Sequence, residues 1–249
     1  MKKILILVLL LLSCGSAEEP AVIEDLTGEW YEGPPGEWPP ITMINNIAYA
    51  DTSFPVAGCG FLLDIGTDTL AVTAKHVLTY FKSGSMSTVS FGNSLKSWKM
   101  FPKDKPDEIV IIDKIINEND NESIMGVGVE RDWVLFSVKE KSEKIQPIKF
   151  RTEPLVKGEP VYIVGWRYTD ENCSQVIYKA KYEESVEGAE VLLTELLQDN
   201  KMPGLSGSPV IDSKGRLIGI MSKKFGKKEK AASTEYPLRI LKEKNIIVK

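Results

Sequence analysis

Histidine is almost missing from this chain. One occurs in 249 residues, His76, so any mechanism that moves a proton through imidazole depends on that residue alone. Cysteine is scarce as well: Cys14, Cys59 and Cys173 are the three present. No His/Cys cluster has metal-ligand spacing, and neither a metal nor another cofactor is expected. Basic side chains are outnumbered, 31 Lys and Arg against 35 Asp and Glu, for a formal charge of −4. Nucleic-acid binders carry a basic footprint, so no nucleic-acid partner is expected. No repeat at solenoid period occurs. The one long apolar run, Ile4–Leu12, lies at the N-terminus.

That run follows Lys2 and Lys3 and precedes Ser13 and Cys14. A short positive stretch and a short apolar one make an export signal, too short to span a bilayer as a stable helix. Leu11-Leu12-Ser13-Cys14 resembles a bacterial lipobox. The resemblance implies removal of residues 1–13, lipidation of Cys14 and a protein held in the cell envelope by a lipid anchor. Losing Lys2 and Lys3 takes the formal charge to about −6. The alternative is an ordinary secretory signal with an incidental Cys14. An exported protein permits a disulfide, and Cys59 with Cys173 is the possible pair. Residues 14–40 read as a tether, because the Pro and Gly of GEWYEGPPGEWPP (Gly28–Pro40) forbid a long regular element. Trp30 and Trp38 within it either pack on the domain surface or bind a ligand, and packing is favoured.

Beyond residue 40 the pattern is of short apolar runs between turn residues. Cys59–Asp64, the turn signal Gly66-Thr67-Asp68 and Leu70–Ala74 come first. Ser87–Phe91, Glu108–Ile112, Trp133–Val138, Pro160–Val164 and Val191–Leu197 follow, and Pro209–Ile211 and Leu217–Met221 flank the turn Asp212–Gly215. Many short strands at this spacing predict an all-β sandwich or barrel. With 43% hydrophobic residues the chain can bury one all-β unit or two small subdomains. One helix is predicted, at about 234–244, with Ser233 or Thr234 as cap, Pro237 in its first turn and Leu238, Ile240 and Leu241 on its apolar face.

Acyl transfer by serine needs a hydroxyl, a base held in the right tautomer, and preorganised donors for an oxyanion. His76 closes the apolar stretch LAVTAKHVL. Asp132 opens Asp132-Trp133-Val134-Leu135-Phe136, and a carboxylate at the start of a buried strand suits an orienting role. Asp64, Asp68, Asp107 and Asp113 compete for that role. Ser206 lies in GLSGSPV, Gly204–Val210, where Gly204 and Gly207 allow unusual backbone angles. A plain β-turn is the alternative reading of that stretch. The order His76, Asp132, Ser206 matches one of the several orders in which such triads occur.

These segments resemble trypsin-like, chymotrypsin-fold serine peptidases. Thr73-Ala74-Lys75-His76 is similar to their Thr-Ala-Ala-His, Asp132-Trp133-Val134-Leu135 to their Asp-Ile-Ala-Leu, and Gly204–Pro209 to their nucleophile turn. Gly158–Trp166 and Leu217–Ser222 resemble the strands that open the second barrel and line the specificity pocket. The resemblance spans roughly residues 45–245. It is nearest in pattern to bacterial glutamyl endopeptidases and to the protease domain of periplasmic Deg enzymes, with no PDZ domain expected. It implies two antiparallel six-stranded Greek-key barrels with a C-terminal helix, barrel one at about 41–148 and barrel two at about 149–232. It also implies a serine endopeptidase acting on a polypeptide substrate through His76, Asp132 and Ser206, with the N–H groups of Gly204 and Ser206 as oxyanion hole. A binding protein without turnover and a serine esterase are the alternatives on the same fold.

Departures from the family pattern carry their own expectations. Leu205 stands where Asp or Asn is usual, so it cannot form the ion pair that activates trypsin, and no Arg/Lys-Ile-Val-Gly-Gly cleavage motif occurs. Activity without a trypsin-type cleavage follows. By the resemblance, Asn200 and Lys201 fall near the pocket base and Ser222, Lys223 and Lys224 near its wall. Lys223, Lys224, Lys227, Lys228 and Lys230 read as a solvated basic loop. A sharper alternative is a preference for acidic side chains through Lys201 or Lys224.

Overall fold

The computed structural model describes residues 30–34, 37–126, 128–170, 175–194, 203–225 and 228–246. For residues 224 and 225 this means the backbone. The N-terminal stretch read as an export signal, Cys14, Cys173, Asn200, Lys201 and Lys227 lie outside these residues.

The first half of the fold contains β1 (Thr42–Tyr49), β2 (Ser53–Phe54), β3 (Cys59–Asp64), β4 (Thr69–Thr73), β5 (Thr88–Val89), β6 (Leu95–Phe101), β7 (Val110–Ile115), β8 (Asn119–Ser123), β9 (Val134–Lys141) and β10 (Ile148–Lys149). A four-residue helix α1 (Val77–Tyr80) follows β4. Strands β1, β3, β4, β9, β7 and β6 pair in that order, and β1 pairs with both β3 and β6, which closes a barrel of six strands. The second half contains β11 (Pro160–Gly165), β12 (Val176–Val186), β13 (Ala189–Thr194), β14 (Pro209–Ile211), β15 (Leu217–Phe225), β16 (Lys228–Ser233) and the terminal helix α2 (Glu235–Glu243). Here β11-β12-β13-β16-β15-β14 form a second closed barrel. Closure leaves neither main sheet with a long open edge.

Alternation explains each barrel. On β12 the side chains of Tyr178, Ala180 and Tyr182 turn inward while Lys179 and Lys181 are exposed, the two-residue period of a strand with one wet face. Barrel one is filled by an aromatic cluster: Trp98 lies 4.8 Å from Phe136 and 5.6 Å from Phe91, centroid to centroid. Its indole N–H donates to Asn45 Oδ1 at 3.0 Å. Asn45, fully buried on β1, in turn donates to the carbonyls of Ala57 (3.0 Å) and Cys59 (2.9 Å). The core thus shapes the loop that leads into β3.

Two expectations need correction. Lys223, Lys224, Lys228 and Lys230 lie on strands rather than in a loop. Ladder pairs Lys223 with Lys230, Lys224 with Glu229 and Phe225 with Lys228 extend β15 and β16. The stretch read as a tether lies on the domain from Trp30 onward. Trp30 and Tyr31 pack against the core, Tyr31 stacks on Tyr162 of β11 at 4.2 Å, and Trp38 donates its indole N–H to Gly33 O at 2.9 Å. The helix begins at Glu235, whose N–H donates to Ser233 Oγ at 3.4 Å. Thr234 makes no side-chain cap.

Trp98 tests how far the barrel-one core supports this arrangement. Replacing it by Ala is expected to cost about 3–5 kcal/mol in urea unfolding. Phe, which keeps a six-membered ring but loses the pyrrole part of the indole and its bond to Asn45, is expected to cost about 1–3 kcal/mol.

Candidate active site

The cleft between the barrels collects residues from four places. Strand β4 ends at Thr73, and His76 begins the turn that becomes α1, with Thr79 N–H donating to His76 O at 2.9 Å. Asp132 closes a 3-10 turn, Val129–Arg131, just before β9, and its N–H donates to Val129 O at 3.1 Å. Ser206 lies in the turn that precedes β14, and Ser222 on β15.

These four residues form one hydrogen-bonded chain. Asp132 Oδ1 accepts the backbone N–H of His76 at 2.7 Å, and Oδ2 lies 2.7 Å from His76 Nδ1. His76 Nε2 lies 2.6 Å from Ser206 Oγ. Ser222 Oγ donates to Asp132 Oδ2. The Asp132 side chain is 3% exposed and that of His76 23%, so the carboxylate is sheltered while the imidazole reaches the cleft. A buried carboxylate needs donors, and it receives three: a backbone N–H, an imidazole nitrogen and a hydroxyl. With Nδ1–H directed at Asp132, Nε2 is left as acceptor for the Ser206 hydroxyl.

Ser222, read as a pocket-wall residue, instead points its hydroxyl at Asp132. The β15–β16 register slips between Met221 and Lys223, which makes Ser222 the bulged residue. Bulges re-aim side chains, and strand alternation in the sequence holds no trace of the slip. Lys223 is exposed. Asn200 and Lys201 lie outside the described residues, as does the side chain of Lys224. Three rival carboxylates serve their own surroundings: Asp64 accepts the Gly66 N–H, Asp68 the Thr69 N–H and Asp113 the Ser137 hydroxyl; the fourth, Asp107, is exposed.

Packing holds the turn around Ser206. Leu205 is 1% exposed and belongs to the barrel-two core with Val161, Ile163, Val210 and Met221. Gly207 N–H donates to Met221 O at 3.1 Å and Ser208 N–H to Leu205 O at 2.9 Å. From barrel one, Cys59 N–H donates to Ser206 O at 2.7 Å, and its thiol to Gly204 O at 3.2 Å. Gly204 has φ +110°, and a Cβ there would lie 2.6 Å from Tyr168 N. Gly207 has φ +86°, and a Cβ would lie 2.1 Å from Cys59 O. Among the described residues, the N–H groups of Gly204 and Ser206 donate to no acceptor.

Cys59 is a free, wholly buried thiol, engaged with the Ser206 turn; its possible partner Cys173 lies outside the described residues. Burial pushes the Cys59 pKa up to about 11. Among the described residues no group of three or more His, Cys, Asp or Glu is placed to hold a metal, and no helix is long and apolar enough to cross a membrane.

A family model described as a trypsin-like peptidase domain matches residues 58–220, a span that takes in His76, Asp132 and Ser206. Among solved structures, the chain is similar to the active form of the Rv3671c protease from M. tuberculosis. The TM-score is 0.54 and the identity 14%, over 82% of this chain and 80% of that one. It is also similar to the serine endoprotease from Yersinia pestis, with a TM-score of 0.53 and 16% identity, over 84% of this chain and 63% of that one. At these identities the likeness to solved structures is one of fold.

Two outcomes check the local geometry. Gly207→Ala is expected to lose at least about 2 kcal/mol in urea unfolding, from the positive φ and the clash with the Cys59 carbonyl. In a Cys14→Ser/Cys173→Ser background, Cys59 is expected to resist a thiol-specific disulfide reagent at pH 8. Its thiolate is populated only near pH 11 and is shielded, so the thiol reacts at once only when urea unfolds the protein.

Proposed function

Because the chain belongs to the trypsin-like peptidase family, we propose that it is a serine endopeptidase whose triad is His76, Asp132 and Ser206. Family membership makes it a peptidase acting on polypeptides. The observation that carries the finer reading is the unbroken chain from Ser222 through Asp132 and His76 to Ser206, with 2.7 Å and 2.6 Å at the imidazole.

In this reading His76 Nε2 takes the proton from Ser206 as Oγ attacks the peptide carbonyl. Asp132 keeps the imidazole in the tautomer that can accept this proton and stabilises the resulting cation. The N–H groups of Gly204 and Ser206 receive the developing oxyanion, each such donor being worth about 3 kcal/mol in the transition state. His76 then gives the proton to the leaving amine. Water attacks the acyl-enzyme, losing its proton to His76, which passes it to Ser206 Oγ as the ester bond breaks and the acid is released. Ser222 braces Asp132, so that the carboxylate keeps its angle to the ring.

The rival reading, a scaffold without turnover, draws on Leu205 alone. Burial of Leu205 in the barrel-two core supports a turn held open by packing where a polar neighbour is usual. The same burial accords with activity that needs no trypsin-type cleavage. Export and lipid attachment through Cys14 complete the proposal, and they rest on Lys2, Lys3, Ile4–Leu12 and the lipobox-like Leu11–Cys14.

A fluorophosphonate probe is expected to label the folded wild-type protein and to fail on Ser206→Ala and His76→Ala. An unlabelled, folded wild type refutes the enzyme reading. Ser222→Ala removes a hydrogen bond to a charged group and is expected to lower kcat/KM for a peptide substrate about 10-fold.

A further inference from the structure

We propose that Lys75 is a positioning residue: its buried ammonium, held by Glu122 and the ring of Tyr236, fixes His76 from behind and locks the two barrels in catalytic register. The inference deepens the proposed function and rests on His76 acting as the base.

Lys75 directly precedes the only histidine, and its side chain is 0% exposed. Removing an ammonium from water is costly unless it is paired. Here Nζ ion-pairs with Glu122 on β8 and lies 5.4 Å from the centroid of Tyr236 on α2, within reach of a cation–π attraction. The Lys75 side chain thus ties the segment after β4 to β8, in the small β5–β8 sheet, and to the helix that follows barrel two.

The backbone of Lys75 carries this tie to the triad. Its N–H donates to Asp132 O at 3.3 Å, and its carbonyl accepts the Leu78 N–H at 2.9 Å, opening α1. The imidazole of the next residue reaches Ser206 while the ammonium reaches Glu122 and Tyr236. Rotation of the chain at residue 75 would move the imidazole.

The residue after Asp132 has the same kind of anchor. Trp133, fully buried, donates its indole N–H to Ser233 O at 3.0 Å. Asn117 joins the two anchors, donating to Trp133 O at 2.8 Å and lying 3.4 Å from Tyr236 Oη. Both barrel-one members of the triad therefore have a neighbour fastened to the Ser233–Tyr236 segment. That segment begins at the last residue of β16, which pairs with β15, the strand that carries Ser222. The spacing between His76 on one barrel and Ser206 on the other is held behind the cleft as well as across it.

The test compares Lys75→Met and Glu122→Gln with wild type in the full chain, using a peptide substrate, fluorophosphonate labelling rates and proton NMR. A single histidine makes its downfield Nδ1–H resonance assignable without ambiguity. Lys75→Met is expected to lower kcat and the labelling rate at least 10-fold with KM within twofold, and to shift or broaden that resonance. Glu122→Gln is expected to act in the same direction. Ile112→Ala, a core change elsewhere in barrel one, controls for lost stability and is expected to lower Tm without these effects.

Wild-type kcat and an unmoved resonance in folded Lys75→Met overturn the proposal. If that variant does not fold, the same result in Glu122→Gln overturns it. If wild type is never labelled, the enzyme reading fails, while the His76 resonance still reports whether Lys75 positions the ring.

Discussion

The close approach of two backbones, at Cys59 and at the Ser206 turn, is the constraint on which the rest depends. Cys59 N–H donates to Ser206 O at 2.7 Å, and no side chain fits between Gly207 and the Cys59 carbonyl. That carbonyl also accepts from Asn45 Nδ2 (2.9 Å) and Thr73 Oγ1 (2.7 Å), and Asn45 is held by the indole of Trp98. A path of buried hydrogen bonds thus runs from the aromatic core of barrel one to the main chain at Ser206. Buried polar groups are costly when unpaired, so each step of the path favours one geometry.

A site divided between two barrels needs its halves held in register. Thr42 Oγ1 donates to Val164 O at 2.5 Å and Trp133 Nε1 to Ser233 O at 3.0 Å. Gln175 Oε1 accepts the N–H groups of both Ile41 and Thr42. These bonds have direction as well as strength. Apolar burial supplies most of the stabilisation of such a fold, but it is non-directional and cannot place an imidazole nitrogen 2.6 Å from a hydroxyl.

Legibility along the chain followed burial. Cys59–Asp64 and Pro209–Ile211 appear as strands at their predicted limits, because continuous apolar runs between turn residues leave few alternatives. β12 and β16 were not foreseen. In Val176–Val186 Lys and Glu interleave with small and aromatic side chains, and Lys228–Ser233 opens with three charged residues; half-buried strands rich in Lys and Glu look like solvated loops. Ser87–Phe91, expected as a strand, shrinks to a two-residue pairing, Thr88–Val89 with β8.

Of the site, the sequence by itself determined the imidazole, since His76 is the only one, the order in which His76, Asp132 and Ser206 follow one another, and glycines at the two positions where φ is positive around Ser206. Composition and local steric demand are properties of the chain. The tertiary structure alone decided that Ser222 turns to Asp132, that Leu205 packs inward, that Cys59 stays a thiol and that Lys75 is buried against Glu122 and Tyr236. Each of these outcomes depends on a ladder register, a bulge or a contact between segments distant in sequence. Such features arise only when the barrels close and meet.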